Sequence, residues 1–359
     1  MISLNTTEAF LALIRTGIGN CSNTITRKQD WTAIKALADE HGLSAIVLDS
    51  IDYLPENVRP NKEFLLTWIG EILQNFEQGY VLYEKTIAQL ARWYNAHGFK
   101  MMVLKGYACS LNWPKPEHRP CGDIDIWLFG KQKEADNILS KEMGVKVDSS
   151  EHHHTVFYWK DIMVENHYDF LNVYQHKSSA EMEKVFKELG QDDSCFIELY
   201  GERVYLPSVN LHALFLLRHS MCHFAAESIT LRQLLDWAFF VKSHSTEIDW
   251  EWLEGVLEQY GMKRLYDVYN AICVGDLGFD VKLFPIVQFV PELKDKVLKE
   301  ILSPKYSINN LPKNVFKRIL FKIRRWKDSA WKNRLCYKES LWTSFWSGVW
   351  MHLLKPRQI

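Results

Sequence analysis

The chain has 359 residues, 47% of them hydrophobic, and a net charge of −1, enough material to bury a sizeable core in two or three packed units. No apolar run reaches the about eighteen residues of a membrane span, and the first twenty residues carry a glutamate inside their apolar part without a small-residue cleavage pattern, so the sequence reads as cytoplasmic. The seven cysteines are scattered, odd in number and without C-x-x-C spacing, which argues for reduced thiols rather than a disulfide scaffold or a thiolate zinc site.

In chain order, residues 6–16 and 31–41 place apolar side chains at three- and four-residue spacing, each segment closed by a glycine, the pattern of short amphipathic helices. Residues 55–61 form a loop. Residues 64–97 read as a long helical stretch, interrupted near Gly79 and ended by Gly98.

Residues 100–104 are a short apolar run ending in Lys105-Gly106, with a helix able to start at Tyr107. The glycine therefore falls at a strand-to-helix turn, whose backbone N–H groups attract phosphate. After a polar, proline-bearing link over residues 113–120, Asp123-Ile124-Asp125-Ile126 alternates with period two. Both carboxylates then point to one strand face, roughly 7 Å apart. That spacing suits a pair of Mg²⁺ ions about 3.5–4 Å apart, holding a triphosphate and activating an attacking oxygen. A third carboxylate is needed, and Glu165, forty residues after Asp125 in a second alternating run, supplies it if the two strands pair. Asp161 and Asp169 are weaker candidates.

Lys105 would meet phosphates as a point charge and Arg119 as a planar fork. His167, two residues after Glu165 on the same face, would orient that carboxylate, touch a phosphate or act as a base. The run His152-His153-His154 reads as a polar strand end, since three imidazoles with no cysteine or spaced carboxylate are a weak zinc signal.

Residues 131–143 are polar and helical, 151–158 and 162–170 read as two strands joined across Lys160-Asp161, and 196–200 with 203–206 as a hairpin. Helical periodicity returns over 209–222, 229–243, 250–260 and 265–274. His212, His219 and His223 fall near one stripe of the first of these helices, and Arg232 and Asp236 stand at i and i+4 on the next. Residues 311–359 hold twelve Lys or Arg against Asp328 and Glu339, a local +10 that leaves −11 on the rest. With Trp326, Trp331, Trp342, Trp346 and Trp350 interleaved, this tail suits nucleic acid or an anionic membrane surface. The favoured expectation is that its tryptophans pack on the helical domain and its cations stay solvated.

A glycine turn, a spacer, Asp-Ile-Asp on a strand and a lone acidic residue on a later strand resemble the polymerase-beta-type nucleotidyltransferase superfamily. More narrowly, Leu104-Lys105-Gly106, Arg119, Gly122-Asp123-Ile124-Asp125 and Val164-Glu165-x-His167 resemble a largely uncharacterised bacterial nucleotidyltransferase family, with further similarity over residues 211–241. The resemblance spans roughly residues 60–240. Lys105 stands where the superfamily has its first glycine, and the spacer to Asp123 is long.

The resemblance implies an α+β fold: an N-terminal helical cap over 1–77, a nucleotidyltransferase core over 78–206 and a C-terminal helical domain over 207–359 that closes a cleft. It implies transfer of a nucleotidyl group from a nucleoside triphosphate to an unidentified acceptor, with Asp123, Asp125 and Glu165 holding two Mg²⁺ ions, or Mn²⁺ in their place. Lys105, Gly106, Arg119 and His167 would bind substrate phosphates, while His219, His223 and Asp236 line the cleft. The alternative is a module that keeps the fold, binds a nucleotide or a protein, and transfers nothing.

Overall fold

The computed structural model describes residues 4–22, 25–174, 176–286, 288–306, 314–340, 342, 343 and 346. Three helices open the chain, α1 (Leu4–Gly17), α2 (Trp31–His41) and α3 (Ser44–Ser50). Asp30 caps α2 by accepting from Ala33 N, and Gly42 closes it at φ 66°, where a residue without Cβ is at ease. α4 (Lys62–Ile72) continues through a π-helical turn, Leu73–Glu77, into α5 (Gln78–Ala96). The irregularity expected near Gly79 is thus this wider turn, within a helical path that continues through it.

A six-stranded mixed sheet follows, in the order β3-β4-β2-β1-β6-β5. Its strands are β1 (Met102–Val103), β2 (Ile124–Trp127), β3 (His154–Trp159), β4 (Ile162–His167), β5 (Phe196–Leu199) and β6 (Glu202–Tyr205). Between them lie α6 (Tyr107–Ser110), α7 (Gln132–Met143) and α8 (Lys177–Leu189). The β3–β4 and β5–β6 hairpins form where alternating runs flank Lys160-Asp161 and Gly201. α8 was not anticipated, although Met182, Val185, Phe186 and Leu189 follow helical spacing. Its buried Glu183 accepts the N–H groups of Phe170 and Leu171 at 3.0 and 2.9 Å, fixing the chain that leaves β4.

The remainder is helical: α9 (Val209–Ala226), α10 (Leu231–His244), α11 (Trp250–Gln259), α12 (Lys263–Gly275), α13 (Pro291–Leu302), α14 (Val315–Asp328) and α15 (Ala330–Cys336). The α+β class expected from the sequence is the one the chain adopts. One sheet face packs Val103, Ile124, Ile126 and Val164 against α5 and α7. The opposite face sends Met102, Leu104 and Trp127 into a larger core shared by α1–α3 and α9–α13. Burial of these side chains, each contributing about 1.5–3 kcal/mol, fixes which face looks toward α9. No helix among the described residues is long and apolar enough to cross a membrane.

Part of the tail joins that core. Leu335 and Cys336 are buried, and Trp331 meets Phe224 edge-on at 5.7 Å. Trp342 and Trp346, expected to pack as core, are 66% and 63% exposed. Both follow the end of α15, beyond the segment that reaches the helical body. Trp326 is half-buried and meets Trp342 at 6.1 Å, and Trp350 lies outside the described residues.

Candidate metal and nucleotide site

Strand register assembles the site. β2 and β4 run parallel with Asp125 opposite Glu165 and Trp127 opposite His167, while β3 and β4 run antiparallel with His154 opposite His167. Directly opposed residues share a face, and the period of two alternates faces along each strand. Asp125, Glu165, His167 and His154 therefore project from the face turned toward α9, while Ile124, Ile126 and Val164 sit in the other core.

Asp125, 2% exposed, is the hub. Its Oδ1 takes Lys105 Nζ at 2.6 Å and His167 Nε2 at 2.9 Å. Burial alone would raise its pKa, but the adjacent ammonium and imidazole outweigh that and hold the carboxyl far below its usual range. Lys105 is likewise depressed by burial and more strongly raised by Asp125 and Glu165, so it stays charged. The Nδ1 of His167 lies 3.2 Å from the Asp169 carbonyl and its Nε2 faces a carboxylate. Both acceptors favour a ring with two N–H groups. Burial lowers its pKa, but its bonds to Asp125 and Glu165 outweigh that and raise it, which favours the form that orients Asp125 over one that takes up a proton.

Asp123, half-buried at the head of β2, has its pKa raised first by burial and then by the negative charge of Asp125, with Glu165 adding to it. Its carbonyl accepts the Tyr83 hydroxyl at 2.6 Å. Tyr83 also sits over Gly106, which adopts φ 54°, and a Cβ there would come within 2.7 Å of the Tyr83 oxygen. Glycine is needed at this turn for both reasons.

Arg119, expected on phosphate, and Asp236, expected in the cleft, both line the cavity described below and are paired with each other. Arg119 Nε and Nη2 donate to the two Asp236 oxygens at 2.8 and 2.9 Å, and Trp113 Nε1 donates to Oδ1 at 2.8 Å. Burial depresses the Arg119 pKa, but Asp236 overrides it and holds the guanidinium well above its ordinary value. The planar fork is thus spent on bracing the 113–122 loop against α10. The i, i+4 partner Arg232 is left with one hydrogen bond among the described residues, Nη1 to the Pro120 carbonyl at 3.5 Å, and its Nε is buried without a partner.

These residues wall a cavity of about 730 Å³, within the range of small-molecule sites. Lys105, Gly106, Asp123, Asp125 and Glu165 line one side, with His219, His223 and Arg232 across from them. Burial, aided by Lys105 and His223, keeps the His219 pKa well below its ordinary value. His212 of the same stripe is buried elsewhere, its ring against Phe240 and its Nε2 3.8 Å from the Cys109 sulfur. Tyr83 and Arg232 escaped the sequence reading of the site. Tyr83 lies forty residues from Asp123 on a helix whose period signals only packing, and the i, i+4 spacing points Arg232 to Asp236 as an ordinary ion pair.

A divalent cation fits the donor set. Asp125, Glu165 and His167 each offer a ligand atom within 4.8 Å of the others, and the Lys105 ammonium lies against Asp125 and Glu165.

The mixed sheet, the carboxylate-bearing strand face and the helical body across the cavity define an α+β protein with carboxylates and cations gathered on one cavity wall. A family model described as uncharacterised nucleotidyltransferase matches residues 27–274, and the chain belongs to that family. A solved structure titled as an antigenic nucleotidyltransferase-like protein from Paracoccidioides brasiliensis is similar at 12% identity over 55% of this chain and 93% of that one, with a TM-score of 0.34. No curated protein matches.

Proposed function

We propose that this chain transfers a nucleotidyl group from a nucleoside triphosphate to a hydroxyl-bearing or similar acceptor. The observation that carries the reading is the convergence of Asp123, Asp125 and Glu165 on the cavity wall, in a chain of a nucleotidyltransferase family. Asp123, Asp125 and Glu165 would hold two Mg²⁺ ions, or Mn²⁺, which when bound would polarise the α-phosphate and lower the pKa of the attacking hydroxyl. The acceptor hydroxyl gives up its proton to solvent as its oxygen bonds the α-phosphorus, the bond from that phosphorus to the bridging oxygen breaks, and pyrophosphate leaves.

The chain's own contribution is positioning and charge. His167 and Lys105 fix the Asp125 rotamer before substrate arrives. Lys105, on its flexible stem, can turn from Asp125 to a triphosphate oxygen, and Arg232 presents a guanidinium short of partners from the opposite wall. Held charges of this kind need no reorganisation during the reaction. The Arg119–Asp236 pair keeps the loop before β2 in place and acts as a positioning element.

A second reading, a nucleotide- or protein-binding module without transfer, draws on Lys105, whose ammonium sits on the carboxylate that a cation would need. Calorimetry with ATP, CTP, GTP and UTP plus Mg²⁺, beside a pyrophosphate-release assay over acceptor mixtures, separates the two. Transfer predicts affinity for at least one nucleotide together with pyrophosphate release. Affinity with no release in any mixture would establish the binding module.

A further inference from the structure

Nucleotidyl transfer leaves the histidine run at the start of β3 without a task. His153 and His154 both line the cavity, and the cross-strand register sets His154 directly opposite His167. The ligand atoms of His153, His154 and His167 all lie within 4.8 Å of one another. Glu165 stands between two of these rings, with Oε1 3.6 Å from His154 Nε2 and Oε2 3.6 Å from His167 Nε2. The spaced carboxylate that the sequence did not attach to this run is therefore supplied by the neighbouring strand.

Two further observations point to a ligand. The Nδ1 atoms of His153 and His154 are buried without a hydrogen-bond partner among the described residues, although His154 is only 7% exposed. A buried polar atom left unpaired forfeits its hydration for nothing. The three rings also crowd together, with the His153 and His154 centroids 5.5 and 5.2 Å from that of His167 and 4.4 Å from each other.

We propose that His153, His154 and His167, with Glu165 completing the set, form a binding site for a zinc-class transition-metal ion beside the carboxylate site. Imidazole ligands favour such ions over Mg²⁺, and three histidines with one carboxylate make a four-donor set of the kind zinc takes. The two Glu165 oxygens face different neighbours, Oε1 toward His154 and Oε2 toward Lys105 and His167, so one carboxylate can serve both sites. His153 and His154 belong to the zinc-class site alone, and its existence does not depend on catalysis.

The test uses the full chain without a histidine tag, stripped with chelator and titrated with Co²⁺ and Zn²⁺ under excess Mg²⁺. About one equivalent of Co²⁺ should bind with a visible ligand-field spectrum, be displaced by Zn²⁺, and persist in Asp123→Asn. His153→Gln/His154→Gln should weaken binding by more than about 100-fold, beyond what losing an outer partner costs a metal site. His153→Gln alone, at a half-buried position, should weaken it as well and keeps the test decisive if the double variant does not fold. No Co²⁺ binding, binding unchanged in the histidine variants, or loss of the Co²⁺ to the excess Mg²⁺ would overturn the assignment.

Discussion

Gly106 and Tyr83 show how closely the turn after β1 is tied to the carboxylates. The Tyr83 hydroxyl holds the Asp123 carbonyl at 2.6 Å and leaves no room for a side chain on Gly106. Gly106→Ala would therefore combine an unfavourable positive φ with a steric conflict at the Tyr83 oxygen, a cost of about 1–3 kcal/mol. Removing that oxygen with Tyr83→Phe relieves the steric part, so the double variant should be more stable than the two single losses added, by at least about 0.5 kcal/mol. Urea denaturation of the four proteins measures this, and strict additivity would show that the two residues do not interact. At this scale Asp123, Asp125, Glu165 and Gly106 were legible because period-two alternation and a turn glycine are local signals. The Arg119–Asp236 pair was not, because its members lie 117 residues apart, and a nearer arginine on the same helix face offered a simpler partner.

Between elements, the site depends on pairings that no single stretch displays. That β4 lies next to β2 was anticipated as a condition for Glu165 to reach Asp125. That β3 brings His154 opposite His167 was not, since the histidine run was read in isolation. The tail poses a similar problem of long-range partners. Arg218, fully buried on α9, donates to the Cys336 carbonyl at 2.9 Å and lies 4.6 Å from the Tyr337 ring, which stacks on His176 at 3.5 Å. Glu339 accepts from both the backbone and the hydroxyl of Ser178. Truncation before residue 311 would strip these partners and leave a guanidinium buried with fewer hydrogen bonds, a loss of several kcal/mol. Such a truncation should be insoluble or melt about 10 °C or more below the full chain, as read by calorimetry. A truncation that melts with the full chain would contradict this. Half of the tail expectation survives: its first part docks through α15, while Trp342 and Trp346 face solvent.

For the whole molecule, buried histidines set the acid limit. Burial pushes His41 and His176 down to about 4 and His212 to about 3. Below pH 6.5 the unfolded chain takes up these protons and the folded chain does not, so stability falls as pH drops, by up to about 1.4 kcal/mol per pH unit for each group. Glu183 opposes them: burial raises its carboxyl to about 7, so the fold holds a proton there that the unfolded chain releases above pH 4.5. The depressed imidazoles, His153 and His219 among them, outnumber the raised carboxyls Glu183 and Asp123, which predicts a melting temperature that declines from pH 6.5 to pH 4.5. A flat or rising profile over that window would show that these imidazoles are not buried neutral. The overall class was readable because helical and strand periods separate cleanly along the chain. The common core of α1–α3 with α9–α13 was not, since packing between the two ends of a sequence leaves no periodic trace.

If the face carrying Asp123, Asp125 and Glu165 performs nucleotidyl transfer, label passes from a nucleoside triphosphate into product only while those carboxylates are present. The most direct measurement incubates the full chain with labelled ATP, CTP, GTP and UTP, Mg²⁺ and an acceptor extract, beside the Asp123→Ala/Asp125→Ala variant, and follows label into product. The native chain should transfer label from at least one nucleotide and the variant from none, with circular dichroism showing that the variant is folded. Equal transfer by both proteins, or none by either across all four nucleotides, would contradict it.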